Sequence, residues 1–317
     1  MQVKTIKTVA CLGTGTMGHG VAFLAAKAGY TVKLFGRSQE SIKRGLSSID
    51  RAIALYEDNK LMPAGEGDRI RKNITGVTTL EEAATGADLV MESVAEVLEV
   101  KHDVFAKVEA VCPEKAIIAT DTSGLDLEKI RTVFKHPERF LSIHFFTPPY
   151  LMPTVEVCPC SATLESVQKT AAQWVESIGN MPIELSTAVS GFVINRIQAA
   201  VLREALYIVE QGWASAETVD KAVANSLGRR YTQTGPIESA EMGGWDILGA
   251  LLDELGDKLC AYKKAPSLVA DLRAKGHLGL KTGQGYFPWP PERIQERRAA
   301  RELSLIDFLR KDQEKKK

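Results

Sequence analysis

Residues 9–20 read VACLGTGTMGHG, and the fold of the chain follows from them. An apolar run leads into Gly13, Gly15 and Gly18, and helical spacing begins at the third glycine. In a strand–loop–helix of this kind the first glycine permits a tight turn, and the second lets the backbone approach a pyrophosphate. The third allows helix and strand to pack closely, while the helix N-terminus offers N–H groups to the anion. Glycine triplets also occur in ordinary turns, so context decides. Here a second apolar strand, TVKLF (31–35), follows the helix and completes a βαβ unit. The loop is read as a dinucleotide site, with Gly13, Gly15, Met17 and Gly18 against the cofactor.

The same alternation continues outward. KTVACL, TVKLF, DLVMES, AIIAT, FLSIHFF, TVEVC and PIELS read as strands, with helical segments such as VKHDVFAKVEAV and LESVQKTAAQWVESI between them. Alternating strand and helix predict an α/β, Rossmann-like, doubly wound and mostly parallel sheet covered by helices. After STAVSG the strands stop. GFVINRIQAAVLREALYIVEQG, SAETVDKAVANSLG, ESAEMGGWDILGALLDELGDKLCA and PSLVADLRAKG are helical, with Ser or Pro near several starts and Gly near the ends. The expected division is a dinucleotide-binding domain over 1–187 and a smaller all-α substrate and dimerisation domain over 188–317. PERIQERRAARELSLIDFLRKD, a polar helix with one apolar stripe, falls in the second.

Lys+Arg 40 balance Asp+Glu 40, and a formal net charge of zero argues against a nucleic-acid partner. No apolar run approaches the ~20 residues of a membrane helix. The first residues lack the apolar core and cleavage site of a signal peptide, so a cytoplasmic protein is expected. Cys11, Cys112, Cys158, Cys160 and Cys260 show no Cys-x-x-Cys spacing, and no His-x-x-x-His accompanies them. They are read as small buried apolar residues, and no metal is expected.

LSIHFFTPPYLMPTVEV (141–157) sets one histidine, His144, and one carboxylate, Glu156, in an apolar stretch broken by prolines. His144 ends one strand, FTPPYLMP turns, and Glu156 lies on the next strand with Val155 and Val157 facing the other way. A carboxylate on one ring nitrogen would orient the imidazole and stabilise its charged form, leaving the other nitrogen to take a proton. Oxidising an alcohol with a nicotinamide needs such a base. Spacing alone leaves open a buried pair that only supports the turn. TDTSG ends another strand at the sheet's carboxyl edge, where doubly wound folds bind ligands, which makes Ser123 a candidate.

GTGTMG, MESVAEVLEVK, TDTSGL, IHFFTPP with PTVEV, GFVINR, TGPIESAEMGGWD and GLKTGQGYF together resemble the L-3-hydroxyacyl-CoA dehydrogenase family, in its order and over nearly the whole chain. The family includes a branch with lambda-crystallin, L-gulonate and carnitine dehydrogenases. The resemblance implies that His144 is the base and Glu156 its partner, and that Ser123 and Asn195 hold the substrate oxygen or the histidine. It implies that Glu96 and Lys101 lie near the nicotinamide ribose, and that the chain is a homodimer built through its helical domain. The leading expectation is therefore an NAD(P)-dependent dehydrogenase of an L-3-hydroxyacyl-CoA or a close analogue.

Several positions depart from the family. Thr147 stands where asparagine is usual, and a hydroxyl lacks the amide's fork. The helix containing DRAIALYEDNK (50–60) is locally acidic, a poor seat for a ribose phosphate. SLGRRYTQTGP is longer than in typical acyl-CoA enzymes and resembles the branch that oxidises free hydroxy acids such as gulonate, carnitine and pyridine-ring carbinols. In that reading Arg229 or Arg230 would hold a substrate carboxylate. A crystallin-like structural protein is a further alternative, disfavoured by the intact set His144, Glu156, Ser123 and Asn195. NAD is the family default, but Gly36 replaces the aspartate that binds the adenosine ribose in NAD-specific members. With Arg37 and Ser38 beside it, the second strand's end leans toward NADP.

Overall fold

The computed structural model describes residues 6–315. Eight strands carry the fold: β1 (Thr8–Leu12), β2 (Thr31–Phe35), β3 (Ile74–Val77), β4 (Leu89–Glu92), β5 (Ile117–Thr120), β6 (Phe140–Phe145), β7 (Thr154–Pro159) and β8 (Met181–Glu184). They form one sheet in the order β3-β2-β1-β4-β5-β6-β7-β8. From β3 to β6 neighbours are parallel; β7 runs antiparallel to β6 and parallel to β8. This is the Rossmann-like, doubly wound order, with the direction of winding reversing between β1 and β4.

Helices on both faces explain why the central strands are apolar throughout. Val9 and Cys11 of β1 join one core and Ala10 and Leu12 the other, and β4 divides Leu89 and Met91 from Val90 in the same way. The strand missing from the sequence reading is β3. Its four residues, ITGV, are too short to show alternation and contain a glycine. Gly76 makes room for its neighbour: a Cβ there would lie 2.3 Å from Ile42 Cγ2.

The chain forms two compact units, one running through Val193 and rejoined from Ala300 onward, the other Ile194–Ala299. The first outlasts the boundary expected at 187 because the Val193 N–H donates to Glu156 Oε1 (2.9 Å) on β7. The final helix, Pro291–Lys315, was expected to belong wholly to the helical domain. Its later part instead sets Ile306 (2% exposed), with Leu305 and Leu309, into the core of the sheet-containing unit. Arg310 and Gln313 also donate to the carbonyls of Asn59 (3.1 Å) and Leu61 (3.2 Å). The apolar stripe decides this.

The second unit is helical: Ile194–Glu210, Ala216–Asn225, Leu227–Arg230, Pro236–Gly243, Trp245–Leu255 and Ser267–Ala274. The segment read as one helix from 238 breaks at Gly244, whose φ of 89° suits glycine.

Candidate active site

The three glycines of the loop after β1 occupy three different environments. Gly13 has φ 127°, and a Cβ on it would lie 2.6 Å from the Ser93 carbonyl oxygen at the end of β4. Gly18 packs so closely that a Cβ would lie 2.0 Å from the Gly13 oxygen. Gly15 has nothing within 4 Å of the place where its Cβ would stand. Tight turn, close helix packing and open backbone are what a pyrophosphate loop requires, so the residues fit a dinucleotide. The helix Gly18–Lys27 follows with no side-chain cap among the described residues. The His19 Nδ1 meets the Gly15 carbonyl at 2.7 Å, a tether the sequence did not disclose.

His144 and Glu156 are register partners across β6 and β7. Nδ1 and Oε2 are 2.8 Å apart, and both residues are buried. The turn between them contains a cis Thr147–Pro148 bond. Glu156 thus holds the imidazole through Oε2 and the Val193 amide through Oε1. Phe146 and Phe192 flank the imidazole, with ring centroids 4.6 and 5.3 Å away. Phe192 is held at φ 48°, an uncommon conformation for a bulky residue. This dry mount leaves Nε2 as the nitrogen not taken by the carboxylate, suited to exchange a proton with a hydroxyl.

Lys101 and Glu96 stand differently from a simple pair of ribose contacts. The Lys101 ammonium is buried, 2.7 and 2.8 Å from the two oxygens of Glu92 and 3.2 Å from Glu96. Glu92 also accepts from the Thr120 hydroxyl (2.6 Å) and the Val94 N–H (2.7 Å). Glu96 accepts the Thr122 hydroxyl and the N–H groups of Ser123 (3.1 Å) and Gly124 (3.2 Å). Partial burial acts to raise the Glu96 pKa, but Thr122, Lys101 and Gly124 together hold it below its ordinary value. The exposed Ser123 is therefore positioned by a carboxylate anchored on a buried lysine. Asp121, also missed in the sequence, receives the Phe145 N–H (2.8 Å) and lies 3.4 Å from the Ser93 hydroxyl. Burial pushes its carboxyl well above the usual range.

A cleft of about 490 Å³ runs from Gly13, Thr14 and Gly15 to Gly36, Arg37, Ser41 and Arg44. Arg44 was not singled out in the sequence; its helical spacing gave no sign that it reaches this cleft. Ser38 caps the helix Gln39–Asp58 by accepting the Ser41 N–H (3.2 Å). The Thr147 hydroxyl donates to Met17 Sδ (3.2 Å), joining the proline turn to the nucleotide loop. Asn195 and Arg230 belong to the second unit. Asn195 lies in the first turn of Ile194–Glu210, and Arg230 lines a pocket with Arg229, Gln233 and Ser239. All five cysteines are buried and free; burial pushes the Cys11 thiol up to about 12 and Cys158 to about 11. Among the described residues no helix is long and apolar enough to cross a membrane, and no His/Cys/Asp/Glu group is arranged to hold a metal.

A doubly wound sheet with a glycine loop over its switch point defines a dinucleotide-binding protein. Residues 8–189 match the family described as "3-hydroxyacyl-CoA dehydrogenase, NAD binding domain", and residues 191–289 its "C-terminal domain". The chain belongs to the 3-hydroxyacyl-CoA dehydrogenase family, NAD-dependent enzymes acting on 3-hydroxy groups. It is 30% identical over 307 residues to 5-formyl-3-hydroxy-2-methylpyridine 4-carboxylate 5-dehydrogenase of Mesorhizobium japonicum, covering 96% of this chain and 98% of that protein. A crystal structure of an enzyme of that activity, described as an NAD⁺-dependent dismutase, superimposes with a TM-score of 0.90 at 30% identity, over 96% of this chain and 98% of the other. The L-carnitine dehydrogenase of Oceanobacillus iheyensis is 30% identical over 308 residues, covering 96% and 98%. The 3-hydroxybutyryl-CoA dehydrogenase of Bradyrhizobium diazoefficiens is 32% identical over 286 residues, covering 90% of this chain and 96% of that protein.

Proposed function

We propose that the protein oxidises the hydroxyl group of a small free hydroxy acid, and reduces the corresponding carbonyl, with NAD or NADP. The observation that carries the chemistry is the buried His144–Glu156 pair at 2.8 Å. His144 Nε2 would take the hydroxyl proton, and a bound nicotinamide would supply the acceptor for the hydride. Glu156 fixes the ring through Nδ1 and stabilises its charged form. Ser123 and Asn195 are assigned to the substrate oxygen or to the histidine, Thr147 and Arg230 to the remainder of the substrate. Glu96, anchored by the buried Lys101, is assigned to the nicotinamide side of the cofactor, and Gly36, Arg37 and Ser38, which lean toward NADP, to the adenosine side.

Two observations favour a free acid over a coenzyme A thioester. The match to the 3-hydroxybutyryl-CoA enzyme uses nearly all of that protein and leaves a tenth of this chain over, whereas the pyridine carboxylate and carnitine enzymes match almost end to end. On the helix Gln39–Asp58, Asp50 pairs with Arg71 at 2.8 Å, and Glu57 accepts the N–H groups of Gly65 (3.0 Å) and Gly67 (3.2 Å). Carboxylates so placed offer nothing to a ribose phosphate. The thioester reading keeps the support of the family itself.

The test is oxidation of the reduced cofactor with acetoacetyl-CoA, a matched short thioester and a panel of free 3-oxo acids. The proposal expects the best free acid to surpass acetoacetyl-CoA in kcat/KM, and no advantage of the CoA ester over the short thioester. A large preference for acetoacetyl-CoA would restore the ordinary family substrate. Assembly as a homodimer through the helical unit is part of the same reading. Ile197, Val201, Leu202, Leu251 and Leu252 are exposed apolar residues of its helices.

A further inference from the structure

We infer that the adenosine end of the nucleotide cleft is built to hold a 2′-phosphate, with Arg37 and Arg44 as the two residues that read it. This deepens the cofactor assignment above and rests on it only in placing a dinucleotide in this cleft.

At Gly36 the usual ribose acceptor is opposed by packing, beyond being absent in sequence. A Cβ at Gly36 would lie 2.5 Å from Ser41 Oγ, 2.9 Å from Ile42 Cγ1 and 3.1 Å from Thr14 Cγ2. Ser41 cannot easily move aside, because its hydroxyl donates to the Ser38 carbonyl (2.8 Å) and accepts the Ser38 N–H (3.2 Å). An aspartate at this position would therefore have to break the capping box of the helix Gln39–Asp58. The cleft wall beside Gly36 carries guanidinium groups instead, from Arg37 at the strand end and Arg44 one and a half turns into the helix.

Arg44 is paired with Glu40 across the helix surface, with side chains 66% and 81% exposed. Exposed pairs of this kind contribute little, so the guanidinium can turn to a dianionic phosphate at small cost. Among the described residues lining the cleft the carboxylate is Asp103, which stands on the helix Leu98–Glu109 and pairs with Lys107 at 2.7 Å, away from the strand end that carries Gly36 and Arg37 in sequence. Two forked guanidinium groups beside a glycine suit a phosphate monoester, whereas the strand end offers a ribose 2′-hydroxyl no carboxylate to accept its proton.

The experiment measures binding. Dissociation constants of NADPH and NADH are obtained by titration calorimetry on the full-length wild type, Arg37→Gln and Arg44→Gln, with adenosine 2′,5′-bisphosphate and 5′-AMP as fragments. The expected result is NADPH binding at least tenfold tighter than NADH, with the same order for the fragments. Each glutamine variant should lose roughly tenfold for NADPH while NADH changes by less than about twofold, and added salt should weaken NADPH more than NADH. Equal or tighter binding of NADH by the wild type overturns the inference, as does an equal loss of both cofactors in Arg44→Gln. Both variants alter exposed side chains, so a folding defect is not expected and thermal melting checks it. Failure to turn over any free hydroxy acid would sink the proposed function while leaving these affinities to decide this inference.

Discussion

At the scale of single residues, His144→Gln should lower kcat by roughly 10²–10⁴-fold, the usual worth of a general base, and leave dinucleotide affinity nearly unchanged. A variant that kept more than a tenth of wild-type kcat would remove His144 from the chemistry. Glu156→Gln should be damaging as well, since a neutral amide stabilises imidazolium poorly and Oε1 also holds Val193; an unaltered pH–rate profile would count against the pair. Asp121 makes a separate prediction. With its pKa raised in the folded state, the native protein keeps a proton that the unfolded chain has already released. Stability is therefore lost as pH rises from the ordinary carboxylate value to the folded one. Asp121→Asn should raise Tm relative to wild type more at pH 8 than at pH 4, and an equal difference at both would refute it. His144 and Glu156 were legible because an apolar stretch makes each charge conspicuous. Glu92 and Asp121 were not, since each merely closes a strand in the sequence, and their burial depends on strands distant along the chain.

Among elements, the joint between β4 and the helix Leu98–Glu109 rests on the buried pair Lys101–Glu92. Lys101→Met would leave a buried carboxylate without its cation, at a cost of about 3–5 kcal/mol in denaturant unfolding. Adding Glu92→Gln should recover a good part of that loss; strict additivity would deny the coupling. The last helix behaves as a clasp on the sheet-containing unit. Ending the chain at residue 299 uncovers the seat of Ile306, and burial of one such side chain is worth about 1.5–3 kcal/mol. An unchanged thermal transition would show that the clasp adds nothing. Seven strands could be read directly, because each is a short apolar or β-branched run set off by helical or turn segments. β3 could not, being a short edge strand whose glycine is required by Ile42 on a helix. The break at Gly244 was hidden in an apolar pattern that runs through it.

For the whole molecule, the expected mass in light scattering at micromolar concentration is twice 34.6 kDa. A monomer would require another explanation for the exposed apolar residues of the helical unit. The doubly wound, mostly parallel class of the sheet was readable from alternation, since that topology is the ordinary outcome of repeated βα units. The return of residues 300–315 to the first unit was not, because an apolar stripe on a polar helix does not say which surface it will cover.

The antiparallel joint between β6 and β7 has a consequence for how such an enzyme diversifies. Because His144 and Glu156 face each other in register, the gauge of the pair is set by the strand ladder and not by the eight residues, 146–153, that join the two strands. Those residues can be lengthened, shortened or exchanged without altering the proton-transfer geometry, provided the strands do not slip; a slip of one residue would turn the glutamate to the opposite face. Loop grafting between branches of the family should accordingly retune which alcohol is accepted while the acid–base machinery stays calibrated.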